Sequence, residues 1–237
     1  MRTPPRPRHW CIVGHRPRHR VGSGHERSSR LRGVRKPDDG VALQRDAGGA
    51  ITPLILDITD AEQISAAVDT VSTHVEDAGL AGLVNNAGIG ALGPLELMPL
   101  EEFRRQLEVN VTGQLAVTQA FLPLLRQARG RIVFMGSIGD RAVLPFLGSL
   151  CGCKFAVAAM ADAFRQELAS WGVRVVLVEP AAIASEAPGK LEREAERFLS
   201  ESRGAGRALY EDAFRRLVTQ FTGYLRAGTR RGSSPKP

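Results

Sequence analysis

Short apolar runs recur along this chain with helix-length intervals between them, and that alternation decides the fold class. The runs are Ile51–Asp57, Leu80–Asn85, Arg131–Gly136 and Val173–Val178. Each is mostly apolar, and Leu80–Asn85 is apolar almost throughout, the pattern of a parallel strand covered on both faces. The intervals 60–76, 100–128 and 150–170 read as helices, with Phe103, Leu107, Val111 and Leu115 spaced by four in the longest. Alternation of this kind predicts an α/β fold with a parallel, doubly wound sheet. Ligands bind such sheets at the carboxyl ends of the strands, which is where Asp57, Asn86, Ser137 and Pro180 fall.

The 237 residues suffice for one sizeable core, expected over 34–225. Asp60 stands where it can cap the helix 60–76, and Arg35–Gly40 reads as a turn leaving a strand, with Pro37 and Gly40 as breakers. Beyond the last strand, a charge-rich segment around 190–202 and another carrying Leu209, Phe214, Leu217, Val218 and Phe221 read as two helices. Residues 226–237 are a polar tail.

The formal charge of +7 is unevenly placed. Residues 1–36 hold ten arginines and one lysine against one acid, Glu26, while the remainder holds 21 basic and 24 acidic residues. The basic character therefore belongs to an arm, 1–33, in front of a mildly acidic body. That arm is dense in Arg, His, Pro, Ser and Gly, with a short strand signal only at Trp10–Val13. Three readings stay open for it: a disordered tail, a segment translated in a displaced frame, and a nucleic-acid-binding arm. The displaced frame has a specific motive: read one base on, codons for His15-Arg16 give Thr-Gly and codons for His19-Arg20 give Ile-Gly, pieces of a phosphate loop. The body itself gives no reason to expect a nucleic-acid partner. Cys11, Cys151 and Cys153 form neither a disulfide framework nor a metal set, so no metal is expected and a reducing, cytoplasmic compartment is. No apolar run is long enough to span a membrane.

The chemistry concentrates in 137–154. A strand delivers Ser137 to a loop, and Lys154 lies in the first turns of the next helix, sharing a face with position 150. A serine and a lysine so placed suit proton movement at a carbonyl or alcohol, yet residue 150 is leucine and holds no proton. Cys153 reads as a small packing residue, and Tyr210 and Tyr224 lie far off in sequence.

From about Val34 to Leu225 the chain resembles the short-chain dehydrogenase/reductase family. The resemblance rests on Asp57, on Asn85-Asn86-Ala87-Gly88, on Asn110 in the long helix, on Ser137 and Lys154, and on Pro180–Ser185, which is similar to P-G-x-I-x-T. It implies a Rossmann-type fold, an NAD or NADP cofactor and a homo-oligomer formed through the helices at 100–128 and 150–170. By the same resemblance Asp57 and the Ile58 amide would hold the adenine, and Asn86, Ala87 and Gly88 would floor its ribose. Lys154 would hold the nicotinamide ribose, Pro180, Ile183 and Ser185 its carboxamide, Ser137 the substrate oxygen, and Asn110 a water in a proton relay. Arg35 would pair with a 2′-phosphate and favour NADP. Val143–Leu147 and Trp171–Arg174 resemble the retinol and steroid dehydrogenase branch, which implies a lipophilic alcohol or ketone substrate. Three departures accompany the likeness: Leu150 stands where the family has its proton-donating tyrosine, no T-G-x-x-x-G-x-G loop occurs, and no segment is left for a last strand. Two functions follow as expectations: an oxidoreductase with impaired proton transfer and weakened cofactor binding, or a non-catalytic, fragmentary relative that dimerises.

Overall fold

The computed structural model describes residues 11–13, 30–48, 51–180, 187–201 and 205–227. In chain order these form β1 (Cys11–Val13), β2 (Arg30–Val34), α1 (Pro37–Asp46), β3 (Ile51–Ile55), α2 (Ala61–Val75), β4 (Gly82–Asn85), α3 (Leu100–Leu107), α4 (Gly113–Ala128), β5 (Arg131–Met135), α5 (Gly148–Glu167), β6 (Arg174–Val178), α6 (Ala187–Glu201) and α7 (Ala205–Ala227). The described parts of Met1–Gly88, Leu107–Met135 and Ala156–Val178 make one compact unit, and those of Ile89–Gln106, Gly136–Phe155 and Glu179–Pro237 a second.

The first unit holds the sheet, ordered β3-β2-β1-β4-β5-β6. β2 with β3, β4 with β5 and β5 with β6 pair in parallel, as the apolar runs predict. β1 does not: it is antiparallel to both β2 and β4, so the sheet departs from the parallel pattern in the region of the first βα unit, whose phosphate loop the sequence lacks. A parallel connection needs a crossover of a dozen or more residues, usually a helix. Residues 14–29 carry no apolar helical period from which to build one. Because Val13 lies opposite Arg30 and Gly82, the first residues of β2 and β4, the chain leaves β1 at the amino edge of the parallel strands. Among the described residues no helix lies between β1 and β2 and no strand follows β6.

Two further expectations are corrected. Pro37, read as a breaker, opens α1: at the first helical position its missing N–H is an orphan anyway and its φ is preset. Asp38 and Asp39 then meet the positive end of that helix. The single helix expected over 100–128 is α3, a π turn at Glu108–Thr112, and α4. Its buried face is also different. Gln106, Asn110, Gln114 and Thr118 are buried, whereas the predicted stripe Phe103, Leu107, Val111 and Leu115 is half-buried. Hydropathy cannot anticipate that, because the buried polar groups are there to bond neighbouring backbone and side chains.

The cap on α2 is as expected: Asp60 Oδ1 accepts from Glu62 N at 3.0 Å and Gln63 N at 3.1 Å. The core of this unit unites Leu31, Leu83, Ile132 and Phe134 of the strands with Val71, Phe121, Val157 and Phe164 of the helices. Phe134 and Phe164 stack with centroids 6.0 Å apart.

The second unit has its own core, made of Leu92, Leu147, Cys151, Ala195, Leu199, Phe214 and Val218. α6 and α7 form a hairpin laced by the pairs Glu196–Arg215 and Glu192–Arg226, exposed and so of small energetic value. Its apolar side is aromatic: Phe214 meets Phe146 edge-on at 5.3 Å and Phe198 at 5.2 Å. Gly93, at φ +147, makes room for this packing, since a Cβ there would lie 2.7 Å from Phe198 Cε2.

Candidate active site

In the first unit, the exits of β2, β3 and β4 present Arg35, Asp57 and Asn86. Arg35 is exposed. Asp57 is fixed by its own turn: its N–H donates to Gln63 Oε1 at 2.8 Å, and Oδ1 accepts from Thr59 N at 3.0 Å and Thr59 Oγ1 at 2.7 Å. Gln63 in turn donates to Asp60 Oδ2 at 2.7 Å, so the cap of α2 and the Asp57 turn are one network. These bonds hold the Asp60 carboxylate below its ordinary value, the backbone bond from Gln63 contributing most. Ile58, 4% exposed, is anchored on α4, where Gly113 admits it: a Cβ at 113 would lie 2.8 Å from Ile58 Cδ1 and from its carbonyl oxygen.

The Asn85–Gly88 turn is held from α4 by residues that sequence reasoning did not single out. Asn85 Nδ2 donates to Thr118 Oγ1 at 2.8 Å, Thr118 Oγ1 donates to Gln114 O at 2.7 Å, and Gln114 Nε2 donates to Ala87 O at 2.8 Å. Asn85, Gln114 and Thr118 are fully buried, whereas Asn86 and Gly88 are half-buried. The only sequence signal for this role was the presence of amide and hydroxyl side chains on a face that must pack. Asn110 occupies the π turn and is 1% exposed.

In the second unit, Ser137 opens a short 3₁₀ turn, Ile138–Asp140, with a reciprocal cap. Its Oγ accepts from Gly139 N at 3.1 Å, and its own N–H donates to Asp140 Oδ2 at 3.0 Å. With Oγ accepting here, its hydroxyl hydrogen is still available to donate. Ile138 N donates to Pro180 O at 3.2 Å, so the turn after β5 is bonded to the chain leaving β6. Ile183 and Ser185 lie outside the described residues.

Lys154 is on α5, 8% exposed, one turn beyond Leu150. Leu150 is half-buried and packs against the second core, its Cδ2 3.3 Å from where a Cβ of Gly90 would sit. Position 150 thus carries an aliphatic side chain that packs on apolar neighbours. The approach of Gly90 is fixed by a buried polar cluster beside it: Ala91 N donates to Gln106 Oε1 at 3.1 Å, Gln106 Nε2 donates to Ser149 Oγ at 3.2 Å, and Ser149 Oγ donates to Ala91 O at 3.3 Å. Tyr210 is committed elsewhere, donating to Glu96, a bond that pushes its phenol above the ordinary value. Cys153 is fully buried, in keeping with a packing role. Among the described residues no cluster of His, Cys, Asp and Glu could hold a metal, and no helix is long and apolar enough to cross a membrane.

A family model described as short chain dehydrogenase matches residues 32–196. Human retinol dehydrogenase 5 is 42% identical over 145 residues, covering 61% of this chain and 45% of its own. The chain spans about half the length of the curated relatives it matches. Among solved structures, the 3-ketoacyl-(acyl-carrier-protein) reductase of Brucella melitensis complexed with NADH superposes with a TM-score of 0.60 at 28% identity, covering 64% of each chain. The gluconate 5-dehydrogenase of Burkholderia cenocepacia complexed with NADP and tartrate gives a TM-score of 0.62 at 23% identity, over 68% of this chain and 64% of that one, a likeness of fold.

Proposed function

The chain belongs to the short-chain dehydrogenase family, and from that premise we propose an NAD(P)(H)-dependent oxidoreductase that interconverts a lipophilic alcohol with its ketone or aldehyde. The observation that carries this reading is the placement of Asp57, Asn86 and Ser137 directly after β3, β4 and β5, with Lys154 on the helix that follows. The cofactor supplies or accepts a hydride. Asp57 and the Ile58 amide hold the adenine, the Asn86–Gly88 turn floors its ribose, and Lys154 holds the nicotinamide ribose. Pro180, Ile183 and Ser185 hold the carboxamide. Ser137 donates its hydroxyl hydrogen to the substrate oxygen, and Asn110 orders a water for proton exchange. Arg35, exposed after β2 with no acid beside it in sequence, favours NADP. The similarity to retinol dehydrogenase 5 supports a lipophilic substrate.

The residues fit the adenosine half of the cofactor better than its pyrophosphate. That group is normally received by backbone amides and a helix N-terminus after a central strand. Here β1 runs the opposite way, so its exit lies at the amino edge. Weak cofactor binding is the consequence, and slow turnover follows from Leu150, since a general acid is typically worth about 10²–10⁴ in rate. These same two observations favour the second reading, a non-catalytic relative that dimerises through α4 and α5. The 44%-exposed Phe155 on α5 supports that interface.

Titration of the full chain with NADPH and NADH, followed by nucleotide fluorescence, separates the two. Saturable binding, tighter for NADPH, is expected; no binding at millimolar nucleotide removes the oxidoreductase reading. Sedimentation velocity tests the dimer, and a monomer at high concentration removes it.

A further inference from the structure

Asp140 is a buried acid that the proton-transfer residues do not explain. Its side chain is 0% exposed. Oδ2 accepts the N–H of Ser137 at 3.0 Å, but Oδ1 is buried without a hydrogen bond. Arg141 pairs with it only loosely: its Nε stands 3.7 Å from Oδ1, beyond hydrogen-bond reach, while that Nε donates to Glu179 Oε1 at 2.5 Å. Arg141, on the same turn, and Glu179, on the chain leaving β6, are the charged groups that face Asp140. With both carboxylates ionised, one guanidinium would answer two negative charges and a buried acceptor would face another acceptor. A proton on Oδ1 removes both faults at once, cancelling the excess charge and turning Oδ1 into a donor toward Glu179.

We propose that Asp140 is a positioning residue that is folded into place as a carboxylic acid, sharing one proton with Glu179, and that this pair, closed by Arg141, locks the Ser137 turn to the exit of β6. The electrostatics agree in direction. Burial, the largest influence, together with the Glu179 carboxylate raises Asp140 above its ordinary value, while Arg141 first and Asp140 second lower Glu179. Opposite displacement of two carboxyls gathered around one guanidinium nitrogen is the behaviour of a pair that titrates as one unit. The lock is reinforced by the backbone bond from Ile138 N to Pro180 O. Its consequence for catalysis rests on the proposed function: it fixes the serine that would meet the substrate oxygen relative to the residue that opens the cofactor-holding segment. The shared proton itself does not depend on that reading.

The sign follows from the raised value. The folded state holds the Asp140 proton in preference to the unfolded state, so the stability this supplies is fully present below the ordinary value of 3.8 and is lost as pH rises through the folded one. Asp140→Asn mimics the neutral acid, keeping a donor for Glu179 and an acceptor for Ser137 N, whereas Asp140→Ala removes both. In the full chain without cofactor, Tm is followed from pH 4 to 8 for both variants, and the Asp140 carboxyl ¹³C shift is assigned by its disappearance in Asp140→Asn. The expected results are a ¹³C titration of Asp140 displaced to higher pH than that of an ordinary exposed aspartate and a Tm for Asp140→Asn at pH 8 at or above that of the unsubstituted protein. Asp140→Ala is expected to lower Tm at every pH. A carboxylate shift already complete at pH 5, or an Asp140→Asn Tm lowered as far as that of Asp140→Ala, would overturn the proposal and leave Asp140 an ionised cap. Failure of the nucleotide titration alongside an acid-like ¹³C shift would end the oxidoreductase reading and leave the lock standing.

Discussion

At Gly113 a substitution that stabilises an exposed helix is expected to change sign. In an exposed helix, Gly→Ala stabilises by about 1 kcal/mol. Gly152 in α5 and Gly223 in α7 are exposed helical glycines with nothing within 4 Å of an added Cβ, and they should show that gain. At Gly113 the same methyl would lie 2.8 Å from Ile58 Cδ1, Cγ1 and carbonyl oxygen. The side chain can turn aside only into the core, where Ile58 is 4% exposed, and the carbonyl cannot move without the Asp57 turn. Overpacking of this kind costs about 1–3 kcal/mol, and its upper part applies where backbone is struck. Set against the helical gain, Gly113→Ala should destabilise by about 1–2 kcal/mol. For a domain of this size that is a fall of about 2–8 °C in Tm. Differential scanning calorimetry of the three variants side by side gives the comparison. If Gly113→Ala raises Tm as Gly152→Ala does, the close packing of Ile58 on α4 is wrong, and with it the positioning of the Ile58 amide for adenine.

Thr118→Val keeps the shape of the side chain but leaves buried Asn85 Nδ2 without its acceptor, so a loss of about 1–3 kcal/mol is expected by urea denaturation. Thr118→Ser should restore most of it. Asp60→Ala should lower Tm at neutral pH, and the difference should close in acid: a lowered carboxylate gives stability present above its ordinary 3.8 and lost as pH falls through the folded value. A Tm gap that persists unchanged at pH 2 would contradict the cap. Leu150→Tyr should raise alcohol oxidation by about 10²–10⁴, provided that nucleotide binding is established first. No gain in a variant that binds nucleotide would refute the assignment of position 150.

The strands β3 to β6 were legible because short, β-branched apolar runs recur at helix-length intervals, and the order of Asp57, Asn86 and Ser137 was legible because each closely follows one of those strands, with Lys154 in the helix after β5. The glycine at 113 and the polar residues 106, 114 and 118 were not. Their meaning depends on which loop the helix meets, and hydropathy is blind to a buried amide satisfied by a distant carbonyl. Asp140 and Glu179 lie far apart in the chain, so nothing local could suggest a common proton. The antiparallel β1 was equally hidden, since its three residues have the same β propensity in either direction.

Sequence alone, then, determined the family frame and the identity of the residue four before Lys154, a leucine, because both are matters of residue type at fixed local spacing. Only the tertiary structure decided the direction of the central strand, the packing of Leu150 beside Gly90, and the joining of the Ser137 turn to the exit of β6. Those depend on long-range pairing, burial and the loss of solvent around charge, which no local pattern encodes.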